Sequence, residues 1–389
     1  VKYFGYIWRN ARRNPIRSAL TIASVAISMF LMMILLSFLA INSETVNDLK
    51  MHNRLITISS QGFSQPVPIA LVRQAVAMDG VVAASPMNYF GGMYQEESLP
   101  FAQYGVDADV IFSIYEEFPV ATEQLESFRQ DRSGCIIGRK LADERKIEVG
   151  DRLPLKGTIY PCNLDLTVRG IFDGPSGRDL RACWFHWDYL EESRKQSSEG
   201  RGRSGNAGAI VVKCRTTDDL TRVAEAIDGS TRNSDAATRT QTEESFVRIF
   251  LEMYGDVRGL IRNVGLAVVF SLFCVAGNAM AMSIRERVTE IAVLKAIGFT
   301  APRVLFFVLA EAVLLSVLGG LIGALGAKLI FDVIDVSRYG GGMVPIFYVP
   351  WSTALLGLGA AVLIGLASGF LPAINAARLS VVEGLRKVG

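Results

Sequence analysis

Hydrophobic and polar positions alternate between two regimes along this chain. Ala19 to Ile41 holds 23 residues without a charge, about 34 Å as a helix, enough to cross a hydrocarbon core of roughly 30 Å. Uncharged runs recur at Val264 to Ile284 and Trp351 to Ile374, and Val304 to Ile330 is broken only by Glu311 and Lys328. Asn42 to about Val257 is polar and turn-rich, with no run long enough to span a bilayer, and predicts a water-exposed domain. Leu55 to Ser59, Cys135 to Ile137, Leu164 to Phe172 and Ala209 to Cys214 read as short strands, and Ile69 to Met78 and Asp218 to Ile227 as helices. That is an α+β pattern in two lobes.

Glu243 to Asn263 carries Phe246, Ile249, Phe250, Met253, Val257, Leu260 and Ile261 at helical spacing. With the stretch after Ile41 it would extend the membrane helices outward as a stalk, although two ordinary helices of a globular core have the same periodicity. Glu191 to Asn206 is charged and rich in serine and glycine, and reads as a flexible loop. Its Gly200-x-Gly202-x-x-Gly205 string matches a dinucleotide fingerprint only as letters, because no buried strand precedes it. Gly319-x-x-x-Gly323 and Gly365-x-x-x-Gly369 would let helix backbones pack closely, within a bundle or at a dimer seam.

Charge placement orients the spans. The segment before Ser18 has five basic residues (Lys2, Arg9, Arg12, Arg13 and Arg17), the 285–303 segment four and the tail three. The loop from Phe331 to Pro350 has only Arg338, beside Asp332 and Asp335. Lys and Arg near span ends mark the cytoplasmic side, so these three segments lie inside and the large domain outside. A basic region before an apolar one also fits a cleaved signal peptide, but the run is longer than such a peptide's apolar core and no clear cleavage motif follows.

The expected layout is thus a cytoplasmic segment 1–17, a first span 18–41 and an outer domain 42–260 with stalk helices at both ends. Then come a second span 261–284, a cytoplasmic helix 285–302, a third span 303–331, a short outer loop 332–350, a fourth span 351–374 and a tail 375–389. The fold class is an α-helical membrane protein with four transmembrane helices and a large two-lobed α+β domain between helices 1 and 2.

Composition agrees: the chain is 50% apolar with mean hydropathy +0.31, high for 20% charged residues. Forty basic against 38 acidic residues give no field that calls for nucleic acid. Five cysteines without C-x-x-C spacing and two histidines argue against a zinc or iron–sulfur site. Cys135, Cys162, Cys183 and Cys214 fall in the outer domain, where they allow three pairings or none. No G-x-x-x-x-G-K-[ST], H-E-x-x-H or G-x-S-x-G motif occurs. His52 and His186 have no nucleophile at a recognisable spacing, and His186 in Trp184-Phe185-His186-Trp187 reads as a packed aromatic strand edge. No catalytic or metal residue is assigned.

The candidate site is the segment that follows the second span. Ile284, Val288, Ile291 and Leu294 share one face at helical spacing, Glu286 and Glu290 lie on another near Arg287, and Gly298 can end the helix. A helix resting on lipid usually has a basic polar face, whereas mixed signs suit a protein groove. Glu311, a carboxylate inside a span, is either paired with a basic residue of this segment or takes part in energy coupling.

These residues resemble a known family. Arg285-Glu286-Arg287 and Glu290-Ile291-Ala292-Val293-Leu294-Lys295-Ala296-Ile297-Gly298 are similar to the coupling segment of the FtsX-like, MacB-type permeases of ABC transporters. Asn14-Pro15-Ile16-Arg17-Ser18-Ala19-Leu20-Thr21 resembles that family's N-terminal signature, and Glu311 to Gly326 its glutamate-then-glycine helix. Pro372-Ala373, Ala376-Ala377-Arg378 and Val382-Glu383-Gly384-Leu385-Arg386 resemble its closing motif, without the proline often seen before the last part. Ile136-Ile137-Gly138-Arg139-Lys140-Leu141-Ala142, Val149-Gly150-Asp151 and Val168-Arg169-Gly170-Ile171-Phe172 resemble its periplasmic core domain.

The resemblance implies a non-catalytic subunit of the bacterial inner membrane, paired with a second copy or a paralogue. It implies a cytoplasmic ATPase, holding ATP and Mg, that docks on Arg285, Glu286, Arg287, Glu290, Ile291, Leu294, Lys295 and Gly298. A periplasmic adaptor and an outer-membrane channel are further partners it allows, beside membrane lipid. ATP-driven movement would pass through the helices to the outer domain, a mode called mechanotransmission, for export of a hydrophobic or periplasmic cargo. Lipoprotein release, or signalling to a cell-wall hydrolase, are alternatives within the same family. A membrane-anchored enzyme is the alternative outside it.

Overall fold

The computed structural model describes residues 14–50, 52–62, 65–95, 101–174, 180–196, 205–252, 257–333 and 348–382. Lys2, Arg9, Arg12, Arg13, Gly200, Gly202, Arg338 and the motif residues Glu383 to Arg386 lie outside them. The elements begin with α1 (Pro15–Lys50), β1 (Arg54–Ser59), β2 (Val67–Pro68), α2 (Ala70–Val76), β3 (Val81–Tyr89) and β4 (Ala102–Val106). They continue with α3 (Ile111–Ile114), α4 (Thr122–Gln130), β5 (Gly134–Gly138), α5 (Arg139–Arg145), β6 (Arg152–Lys156), β7 (Asn163–Phe172) and β8 (Ala182–His186). Then come α6 (Trp187–Gln196), β9 (Asn206–Ala207), β10 (Ala209–Cys214), α7 (Thr217–Thr231), β11 (Thr238–Thr242) and α8 (Glu243–Glu252). The last are α9 (Val257–Glu286), α10 (Val288–Ala296), α11 (Ala301–Val333) and α12 (Trp351–Arg378). Two compact units result, one helical (1–42, 256–335 and 347–389) and one mixed (43–255 with 336–346).

In the helical unit, Ser18–Phe38, Gly259–Glu286, Ala301–Phe331 and Trp351–Arg378 are long and apolar enough to cross a membrane. Both glycine pairs serve contacts inside the chain. A Cβ added at Gly319 would lie 2.6 Å from Val25 Cβ, and one at Gly323 2.9 Å from Met29 Cβ, so α11 lies backbone-close against α1. Cβ atoms at Gly365 and Gly369 would meet Ser316 and Ala312 at 3.0 and 2.7 Å, so α12 packs on α11 in the same way. Of the two uses the pattern allowed, these four glycines serve the bundle. Lys328, the other charge within a span, donates to Val349 O at 3.3 Å and sits 4.8 Å from the Trp351 ring centroid, so its ammonium stays solvated by protein.

The mixed unit is built on a nine-stranded sheet of order β11-β1-β10-β3-β4-β8-β5-β7-β6. Only the pairs β4–β8 and β5–β7 are parallel. The expected lobes are therefore two halves of one sheet, joined where β3 and β4 pair at Met87↔Val106, Asn88↔Gly105 and Tyr89↔Tyr104. Successive strand residues point to opposite faces. Ile210 and Val212 enter a core with Leu220, Val223 and Ile227 of α7, while Val211 between them enters another. Cys135 and Ile137 likewise face Leu141 and Leu190 of α5 and α6, while Ile136 turns the other way. Val211 and Ile136 meet in a single core under α3 and α4, with Phe128, Phe172 and Trp184. That middle core spans both halves.

One sequence expectation changes. The loop expected from Glu191 starts later, because α6 runs to Gln196 and buries Glu191 and Arg194 as an ion pair, with Glu191 also accepting the Gly205 N–H at 2.6 Å. A buried charge is tolerable when paired and hydrogen-bonded, which composition alone does not reveal. The single helix expected over Glu243 to Asn263 is described as α8 and the first turns of α9, and Met253 between them lies outside the described residues.

Gly323→Leu should overpack the α1–α11 contact and destabilise the chain by about 1–3 kcal/mol or more. Gly326→Ala, where an added Cβ meets nothing within 4 Å, should be neutral or stabilising by about 0.5–1 kcal/mol. Thermal unfolding of the two purified variants in detergent checks the contrast, and equal midpoints would refute the packing.

Candidate functional site

The site begins where α9 ends. Its helix breaks at Arg287 (φ −114°, ψ 15°), which turns the chain into the nine-residue α10. Gly298 at φ +104° closes α10, with the Phe299 N–H donating back to Leu294 O at 3.0 Å, a left-handed terminus that favours glycine.

Three latches hold α10 to the spans. Arg287 Nη1 donates to Glu311 Oε2 at 2.8 Å, with Glu290 3.5 Å from Arg287 Nε. Glu311 is 5% exposed, so the intramembrane carboxylate is paired across to the helix break. Lys295 Nζ donates to Ala377 O and Leu379 O, both at 2.6 Å. Those carbonyls end α12, where unsatisfied acceptors and the helix dipole favour a cation. Ile291 is buried with Val304 and Ala376, against Ile284, Val308 and Leu379.

The apolar face expected to enter a partner's groove thus packs largely on the chain's own helices. Ile284 and Ile291 join that buried cluster, and Leu294 lines the small cleft closed by Met280, Arg287, Phe307 and Glu311. Arg287 and Lys295 also turn inward. Of the eight expected docking residues, Arg285, Glu286 and Gly298 are exposed and Glu290 is half-buried. The exposed face of α10 instead runs through Thr289, Val293 and Ala296, flanked by Glu286 at the end of α9 and by Ile297, 73% exposed, just after α10. Steps of three and four identify this stripe in the sequence, but its modest hydrophobicity hid it beside the Ile284–Leu294 stripe.

The other chemistry-bearing side chains do not converge. His186 Nε2 lies 2.7 Å from Phe128 O with its ring 4.6 Å from Phe128, a packed strand end. All five cysteines are free. Burial, with Cys135 beside it, pushes the Cys183 thiol well up, and burial with Asp219 nearby lifts Cys214 to about 11, leaving both poor nucleophiles. Among the described residues no group of three or more His, Cys, Asp or Glu is placed to hold a metal.

Residues 18–230 match the family model of the MacB-like periplasmic core domain, and residues 264–381 that of the FtsX-like permease C-terminal region. The chain belongs to the MacB/FtsX-type permease family. The permease is 24% identical over 402 residues to an uncharacterized ABC transporter permease of Methanocaldococcus jannaschii, covering 98% of this chain and 96% of that protein. It is 27% identical over 330 residues to the macrolide export ATP-binding/permease protein MacB of Neisseria meningitidis serogroup A, covering 78% of this chain. It spans about half (47%) of that relative's length. The periplasmic region of MacB from Actinobacillus actinomycetemcomitans aligns with a TM-score of 0.38 at 11% identity, over 51% of this chain and 92% of that one. This permease is thus a multi-pass membrane protein with a MacB-like domain between its first and second spans.

Glu311→Ala should cost this permease about 1–3 kcal/mol, since it removes the nearer of the two carboxylates facing Arg287 while Glu290 remains. Arg287→Met combined with Glu311→Leu should recover part of that loss. Thermal unfolding of the single and double variants measures it; a double variant no better than Glu311→Ala would refute the latch.

Proposed function

We propose that this permease couples ATP hydrolysis by a cytoplasmic ATPase, which holds ATP and Mg, to movement of its outer domain. It would do so by mechanotransmission, for export of a hydrophobic or periplasmic cargo. The observation that carries the reading is the latching of α10: Arg287 ties it to Glu311 on α11 and Lys295 to the end of α12, while α9 leads into it directly. A push on its exposed face is therefore shared among three spans. The working assembly is a pair of permease copies, or a copy and a paralogue, in a bacterial inner membrane with the mixed domain in the periplasm. A periplasmic adaptor and an outer-membrane channel complete the route. The family resemblance and the macrolide-export name of the Neisseria relative support the export direction.

The ATPase docks on the exposed stripe of α10, with Thr289, Val293 and Ile297 at its centre and Arg285, Glu286, Glu290 and Gly298 at its edges. Arg287, Ile291, Leu294 and Lys295 hold that stripe in place from behind. Val293→Asp and Ile297→Asp should each cut recovery of the ATPase with the tagged permease by about ten-fold while moving stability by only about 0.5 kcal/mol, as exposed positions do. Ile291→Asp, which buries a carboxylate, should lower the melting temperature as well. Full ATPase recovery with both exposed-face variants would overturn the docking face.

A further inference from the structure

The largest fully buried side chain of the mixed unit is a cation, not an apolar group: Arg54, 1% exposed, the first residue of β1 and four positions after α1 ends. Its Nε donates to Glu243 Oε2 at 2.5 Å. Its Nη1 donates to Glu117 Oε2 at 2.9 Å and to Ile114 O at 3.3 Å, and its Nη2 lies 2.8 Å from Glu117 Oε1. The guanidinium stacks 4.2 Å from the Tyr115 ring centroid, and the Tyr115 hydroxyl donates to Glu243 Oε1 at 3.1 Å. His52 approaches Glu117 at 3.8 Å from the partly exposed side.

The positions of these partners in the chain give the cluster its meaning. Glu243 is the first residue of α8, on the segment that runs toward the second span, and Arg54 follows the helix of the first span. The start of β1, which follows the first span, and the start of α8, which precedes the second, therefore meet on one guanidinium. Ile114, Tyr115 and Glu117 belong to the segment that covers the middle core, where Tyr115 and Phe118 pack edge-on to Trp184 at 5.4 and 5.6 Å. Trp184 lies on β8 in the far half of the sheet.

We propose that the Arg54 cluster is the joint that fixes both membrane-linked roots of the outer domain to the segment 111–118, and through Trp184 to the far half of the sheet. It rests on the mechanotransmission reading and adds a residue set to it. A planar five-donor fork satisfying two carboxylates and a carbonyl holds angle as well as distance, which a lysine does not. Burial alone would lift the Glu117 carboxyl, but the Arg54 hydrogen bond and charge hold it below the ordinary carboxylate range. Burial and the adjacent Glu243 push the Tyr115 hydroxyl well up, so it remains a donor. With the joint intact, displacement of α8 moves segment 111–118; with it broken, the displacement is spent locally at the root.

The test uses the full permease in nanodiscs with its ATPase, spin-labelled through Glu126→Cys on α4 and Arg248→Cys on α8 in a Cys162→Ser, Cys274→Ala background. The unaltered joint should give one narrow label-to-label distance with and without ATP. Arg54→Lys, and the milder Tyr115→Phe, should leave the nucleotide-free distance narrow and ATP turnover within about two-fold, yet broaden the distance about two-fold during turnover. An unchanged width during turnover in both variants overturns the joint. Broadening already present without nucleotide in both marks a merely structural cluster and overturns it too. Failure of any ATPase to assemble with the unaltered permease would sink the function proposed above, and the joint with it.

Discussion

A charge removed from water must be met by partners, and that constraint pins both units of this permease. Losing one partner of a buried pair costs about 3–5 kcal/mol, a large share of the roughly 5–15 kcal/mol that holds a domain folded. Arg54 meets it in the outer domain with two carboxylates and a carbonyl. Glu311 meets it among the spans with Arg287. Neither pair is an efficient source of stability, since well-packed apolar side chains of similar size often do as well. What they supply is geometry, because each fixes a chain turn to an element distant in sequence.

That distance decides what could be read from the sequence. Spans, strand positions and the segment after the second span follow local rules of period, length and charge bias, and all are visible in short contiguous runs. The pairing of Arg54 with Glu243 crosses 189 positions and has no local signature. Glu191 and Arg194 looked like part of a solvated loop because charge near serine and glycine normally is one, yet each is 4% exposed. Glu311 was recognisable as needing a partner, and a basic residue of the coupling segment was among its expected partners. Which residue, Arg287, required the helix break that brings the two side chains together.

The glycine pairs show the same division. Spacing announces that backbones approach closely, and it cannot say whether the neighbour is in the same chain or another copy. Ile22, Val25, Ala26 and Met29 of α1 sit against Gly319 and Gly323, so that glycine pair is already used. Any seam between copies must be built from other surfaces. Leu266 and Phe270 of α9, 63% and 69% exposed, belong to a face that none of the described residues covers, and lipid or a second copy can take it.

The coupling helix carries the argument one step further. Nine residues form too short a helix to persist alone, because nucleation costs more than so few hydrogen bonds return. α10 exists because Ile291 is buried, Arg287 and Lys295 are latched and Gly298 caps it. Its exposed stripe is therefore a product of contacts on its opposite face. Arg287 and Lys295 turn inward, while the exposed positions of the segment are Thr289, Val293, Ala296 and Ile297, with Arg285 and Glu286 before the helix break. The shape of that stripe is preserved only while the latches hold. The position of α10 is therefore set by α9, α11 and α12 together, since α10 has no independent stability of its own.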